Sequence, residues 1–169
     1  MKYSDKQKPA YHEAAHVVAL LRYNIPFVAV HLALGEGTDA LGSVALHPSE
    51  PYLWAGKQEG NNFLSVLLAG LCASKIMAPH KSYEQIVHDG TAYGDWLKSR
   101  QFLKIHYGQI QLMQQVKEGK TAGFETKEIT DSAADLVIWH HLRTVRRFVK
   151  YVIGPGIFEP DEMLVFDQI

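Results

Sequence analysis

From residue 11 the apolar or small residues recur at 11, 14, 15, 18 and 21, the period of a helix. Ser4 with Gln7 three positions on has the form of a capping box. This helix is expected to end near Asn24, ahead of Pro26. The runs "FVAVHLAL" and "ALGSVALH" flank "GEGTD" and read as a hairpin, with strands near 27–34 and 41–47. The Pro- and Gly-rich stretch "PSEPYLWAGKQEG" then reads as a loop. Asn61 or Asn62 can cap the strongly apolar helix that follows, which stops before Pro79. Ala, Gly and Cys within it imply close packing. After "PHKSYEQIVHDGTAYG", read as a loop, a helix is predicted from about Asp95 to Lys117. It carries Trp96, Leu103, Ile110 and Met113 on broadly one side and ends at Gly119. Thr126 or Thr130 opens a last long helix with the stripe Ile129, Ala133, Leu136, His140, Thr144, Phe148 and Val152, which "GPG" stops. The fold class is therefore mainly α with a small β-hairpin, an α+β domain without internal repeats.

Composition narrows the function classes. The chain has 169 residues, 47% of them hydrophobic, which suits one domain over 1–169 with a core that needs no staples. Lys and Arg number 17 against 18 Asp and Glu, so no basic footprint points to nucleic acid. The single cysteine, Cys72, lies in an apolar run and reads as a buried thiol in a reducing compartment. The N-terminus lacks the apolar stretch of a signal peptide, and no run approaches the ~18 apolar residues of a membrane helix. A cytoplasmic, membrane-free protein is expected, and self-association is left open. Gly119-Lys120-Thr121 resembles the end of a phosphate loop, but Gln114 stands where its first glycine is needed, so nucleotide binding is not expected.

The chemistry is concentrated in "HEAAH". On a helix His12 and His16 lie one turn apart on one face, where both imidazoles can reach one tetrahedral Zn²⁺. Glu13, beside them, can hold an attacking water and act as general base. At this chain's own His and Glu frequencies only roughly 0.03 chance matches to HExxH are expected. The apolar continuation "VVALL" buries the histidine face, which counts against a solvated His pair. Catalytic zinc takes three protein ligands. No third His follows at the spacing HExxHxxGxxH, because Ala19 and Arg22 occupy those positions. The candidates for the third ligand are Asp95, Asp89, His88, Glu84, His31 and His47.

"AYHEAAHVV", "ALGSVALHPSE", "LLAGLCASKIM" and "GTAYGDWLKSRQFL" follow one another in the order seen in the proteolytic domain of the FtsH family, the M41 zinc metallopeptidases. The chain resembles that domain over roughly residues 3–118. The resemblance implies a zincin-like helical peptidase fold with the HExxH helix near the N-terminus, and places the third zinc ligand on Asp95. Because the preceding turn carries one extra residue, Asp89 stays a rival, and an N-cap role for Asp95 is the bland alternative. Ala15 replaces the family's HEAGH glycine. Leu71 and Ser74 replace the Arg and Glu of its AGRAAE helix, which removes an ion pair. The chain shows no ATPase module, so the expectation is a stand-alone domain.

The leading expectation is a zinc-dependent, ATP-independent peptidase acting on flexible polypeptide, with His12, His16 and Asp95 as metal ligands and Glu13 as base. The hairpin edge would hold substrate as an added strand. The rival is a non-catalytic peptidase-fold binding or adaptor module, with or without structural zinc. Elsewhere His140 is expected in the core and His141 outside. His106 is expected about 16 Å from Asp95 along their helix, and Tyr52 and Trp54 either line a cleft or simply pack.

Overall fold

The computed structural model describes residues 7–33, 41–46, 57–90 and 92–152. The elements are α1 (Gln7–Arg22), β1 (Phe27–Ala33), β2 (Leu41–Leu46), α2 (Lys57–Met77), α3 (Tyr83–His88), α4 (Tyr93–Lys117) and α5 (Asp131–Val152). The described residues are thus mainly helical, with one two-stranded antiparallel sheet, as an α+β class requires. Ser4, the "GEGTD" loop, His47, Tyr52, Trp54 and the "GPG" stop lie outside the described residues. No helix among the described residues is long and apolar enough to cross a membrane.

Helix α2 is the axis of the fold, packed against α1, α3, α4 and α5. Leu64, Leu68, Leu71 and Cys72 are all buried, so apolar side chains point in several directions around it, the pattern of a core helix. Each fully buried leucine contributes about 1.5–3 kcal/mol of transfer free energy. The helix begins at Lys57, four residues before the predicted start, so Asn61 and Asn62 lie inside it and cap nothing. Burial also pushes the Cys72 thiol up to about 12, which leaves it unreactive.

Helix α1 is buried on more sides than its predicted stripe implies. Ala10, Val17 and Leu20 are core residues, whereas Leu21 of that stripe is 61% exposed. It ends in a Schellman motif: Asn24 adopts φ 54°, Ile25 N–H donates to Leu20 C=O at 2.9 Å, and Asn24 N–H donates to Leu21 C=O at 3.2 Å. Pro26 then turns the chain into β1, which pairs with β2 in the register Val30↔Val44 and His31↔Ser43. The hairpin lies against α1, with Phe27, Val44 and Leu46 packed on the core.

The segment after α2 is not all loop, because Ser82 and Gln85 form a capping box that opens the short helix α3. Helix α4 follows from Tyr93, so Asp95 stands in its first turn. The N-cap is Ala92, without a side-chain bond, which removes the reading of Asp95 as a cap. Trp96, Ser99, Phe102, Leu103 and His106 form the buried face of α4, and Met113 is exposed. Gly119, at φ 87°, closes α4 with a second Schellman motif.

Helix α5 is capped by Thr130, whose hydroxyl accepts from Ala133 N–H at 3.3 Å. Its buried stripe is Ala134, Ile138, Leu142, Val145 and Val149, displaced around the helix from the predicted one, and Leu136 is 71% exposed. Two apolar stripes lie side by side on this helix, and contact with α2 decides between them. The same rotation reverses the histidines: His140 is exposed, while His141 Nε2 lies 2.7 Å from Ser65 Oγ and 3.1 Å from Asn61 C=O. Because a carbonyl only accepts, His141 Nε2–H is the donor that ties α5 to α2.

Burial lowers the His141 pKa below its ordinary 6.5. The unfolded chain therefore binds the proton more readily, and the stability this residue contributes is present above the unfolded value and lost as pH falls through the folded one. In denaturation series between about pH 5 and 8, His141→Gln is expected to show a shallower loss of stability on acidification than wild type. Equal slopes would contradict that role.

Candidate metal centre

Helix α1 delivers His12 and His16 to its α2-facing side, and α4 delivers Asp95 from its first turn. His12 Nε2 lies 3.3 Å from His16 Nε2, and Asp95 Oδ2 lies 2.9 Å from the first and 3.3 Å from the second. Asp95 is held by the way α4 meets α5. Arg100 makes a bidentate pair with Asp135, both contacts at 2.5 Å, and its guanidinium lies over the Trp96 ring, which packs on Trp139.

The far side of each imidazole is occupied. His16 Nδ1 lies 2.7 Å from Val66 C=O, and His12 Nδ1 lies 3.0 Å from Ser74 Oγ. A carbonyl cannot donate, so His16 carries its proton on Nδ1, and in the neutral ring the Nε2 lone pair faces the other two atoms. Asp95 Oδ2 is buried without a hydrogen-bond partner of adequate geometry, although both Nε2 atoms are close. Electron pairs converging at such distances in a buried place repel one another unless a cation lies among them.

The electrostatics show the same demand. Burial disfavours charge on His16, yet the Asp95 carboxylate outweighs it and pushes the imidazole up to about 9. Asp95 in turn is raised by burial but held well below the usual carboxylate range by His16 and His12. Without a metal, the cluster takes its positive charge as a proton.

The donor set fits a small divalent cation. Three N or O donors at 2.0–2.2 Å from one tetrahedral ion lie about 3.3–3.6 Å apart; two of the separations found, at 3.3 Å, match this and the third, at 2.9 Å, is shorter. The two rings also close directly on Gly70 of α2, where an added Cβ would lie 2.3 Å from His12 Nε2 and 2.4 Å from His16 Nε2 and crowd the donor atoms.

Glu13 completes the group, with a carboxylate oxygen within 4.8 Å of the paired histidine nitrogens. It is only 5% exposed, and its Oε2 is buried without a partner. Burial raises its pKa, and Asp95 adds to this, while His16, His12 and Lys98 pull the other way. A carboxyl so placed exchanges a proton nearer neutrality than a solvated one.

Of the other third-ligand candidates, Asp89 caps α3 and pairs with Lys81 at 2.6 Å. Glu84 and His88 are exposed on α3, and His31 is exposed on β1. His106 is buried against Gly60 and stacks on Phe102. Gly60 and Gly70 are separated by about 15 Å of helix rise, which keeps His106 away from the cluster. Sequence reasoning missed Val66 and Gly70, and treated Ser74 only as a lost charge. Their spacing of one turn on α2 was the available signal.

A scan against protein-family models, a search of curated proteins and a search of solved structures each returned no match.

Proposed function

We propose that this chain is a zinc-dependent peptidase of the FtsH-family type, cleaving flexible polypeptide without ATP. The observation that carries the reading is the convergence of His12 Nε2, His16 Nε2 and Asp95 Oδ2 within 3.3 Å of one another, beside a buried general base. The ordered motifs around them support the family, and HExxH on a helix supports the metal. His12, His16 and Asp95 are the residues that hold zinc, which when bound supplies an acidified water and polarises the scissile carbonyl.

Glu13 does the proton work. Its Oε2 accepts the proton of the attacking water and returns it to the departing amine, a role that suits a carboxyl raised by burial. The edge of the β1–β2 hairpin, which packs on α1, is suited to holding an extended peptide by main-chain hydrogen bonds, giving weak sequence preference.

The test is hydrolysis of casein by the purified chain. Cleavage abolished by a chelator, restored by zinc and indifferent to ATP is expected. A protein that binds zinc but leaves casein and short peptides intact would instead be a binding module on a peptidase fold.

A further inference from the structure

Val66, Gly70 and Ser74 recur every four residues and so share one face of α2, the face turned to the histidines of α1. We propose that this face is the template of the metal centre, with Gly70 and Ser74 as positioning residues that set both imidazoles with their Nε2 lone pairs inward. The inference rests on the metal reading above and adds what makes the two rings competent ligands.

Each of the three positions has a distinct task. The Val66 carbonyl is in mid-helix, where one lone pair serves the helix and the second remains free for His16 Nδ1–H. One turn later Gly70 places no side chain beside the two rings, so His16 can close on the α2 backbone and reach that carbonyl. The same missing Cβ keeps open the space beside both Nε2 atoms, since an added carbon would lie 2.3–2.4 Å from them. One turn further, Ser74 Oγ is buried and 3.0 Å from His12 Nδ1. With His12 Nδ1–H donating to that hydroxyl, the second ring takes the same tautomer as the first. A neutral hydroxyl here, in place of a carboxylate, leaves Asp95 as the anionic partner of the pair and a divalent ion in net excess of charge, which favours lowering the pKa of bound water.

The experiment measures zinc affinity of the full chain by competition with a chromophoric chelator, together with nitrogen-15 NMR of the histidine rings. Ser74→Ala is expected to bind zinc ~10–100-fold more weakly and to lose the uniform Nδ1–H signature at His12. Ser74→Thr, which keeps the hydroxyl, retains both. Gly70→Ala is expected to take no zinc while its far-UV circular dichroism stays helical. If Gly70→Ala does not fold, the Ser74 pair of variants decides alone. Zinc held equally by wild type and Ser74→Ala, with His12 unchanged, overturns this inference while leaving the metal reading intact. Wild-type protein that takes no zinc overturns the metal reading, and this inference with it.

Discussion

Glu13→Gln is expected to lower casein hydrolysis by ~10²–10⁴ while zinc content stays at that of wild type. Glutamine has nearly the same shape, so it can occupy the buried position between the histidines without reshaping α1. What it lacks is a site that gains and loses a proton. Glu13 Oε2 is buried without a partner, and burial raises its pKa, so the carboxyl is adapted to exchange rather than to hold a structural bond. The readouts are kcat on casein and metal analysis of the same preparation. Undiminished cleavage would assign the activity to another site, and loss of zinc would make Glu13 a ligand.

Asp95→Ala is expected to weaken zinc binding by more than the ~10–100-fold that follows loss of a hydrogen bond to a ligand. Here an anionic donor is itself removed. Asp95 Oδ2 sits between the two histidine nitrogens at 2.9 and 3.3 Å, and no other carboxylate of the third-ligand candidates replaces it there. Asp89→Ala is the matched control. It removes a partly exposed pair with Lys81, worth about 0–1 kcal/mol, and should leave metal affinity unchanged. Calorimetric titration of both variants with zinc separates them, and retention of wild-type affinity by Asp95→Ala would remove it from the ligand set.

The elements that local rules dictate were legible in the sequence. The end of α1 near Asn24 and Gly119 closing α4 follow from cap chemistry that acts within a few residues, Thr130 is one of the two threonines offered to open α5, and the two strands follow from their β-branched and apolar runs. The box Ser82-x-x-Gln85 is equally local, and it opens α3 inside a stretch whose Pro and Gly content reads as loop. Rotation about helix axes was not legible. On α5, Leu136 and Phe148 make as good a stripe by periodicity as Ile138 and Val145, and only contact with α2 selects the second. The error carried over to His140 and His141.

In the candidate site, His12, Glu13 and His16 stand out because one helical turn fixes their mutual geometry. Asp95 is 79 residues beyond His16, and no local rule links them. Its position depends on α4 meeting α1 across α2, with Arg100 and Asp135 holding α4 to α5. Ser74 and Gly70 were harder still, because their importance lies in what they place next to a histidine ring and, for Gly70, in an atom it does not have.

The claim that His12, His16 and Asp95 form a metal centre is tested most directly by zinc stoichiometry of the purified 169-residue chain, before and after dialysis against a chelator and reloading. The prediction is about one zinc per wild-type chain, recovered on reloading, and none in His12→Ala or His16→Ala protein that remains helical. A folded wild-type protein that takes up no zinc on reloading, or histidine variants that hold as much as wild type, would contradict it.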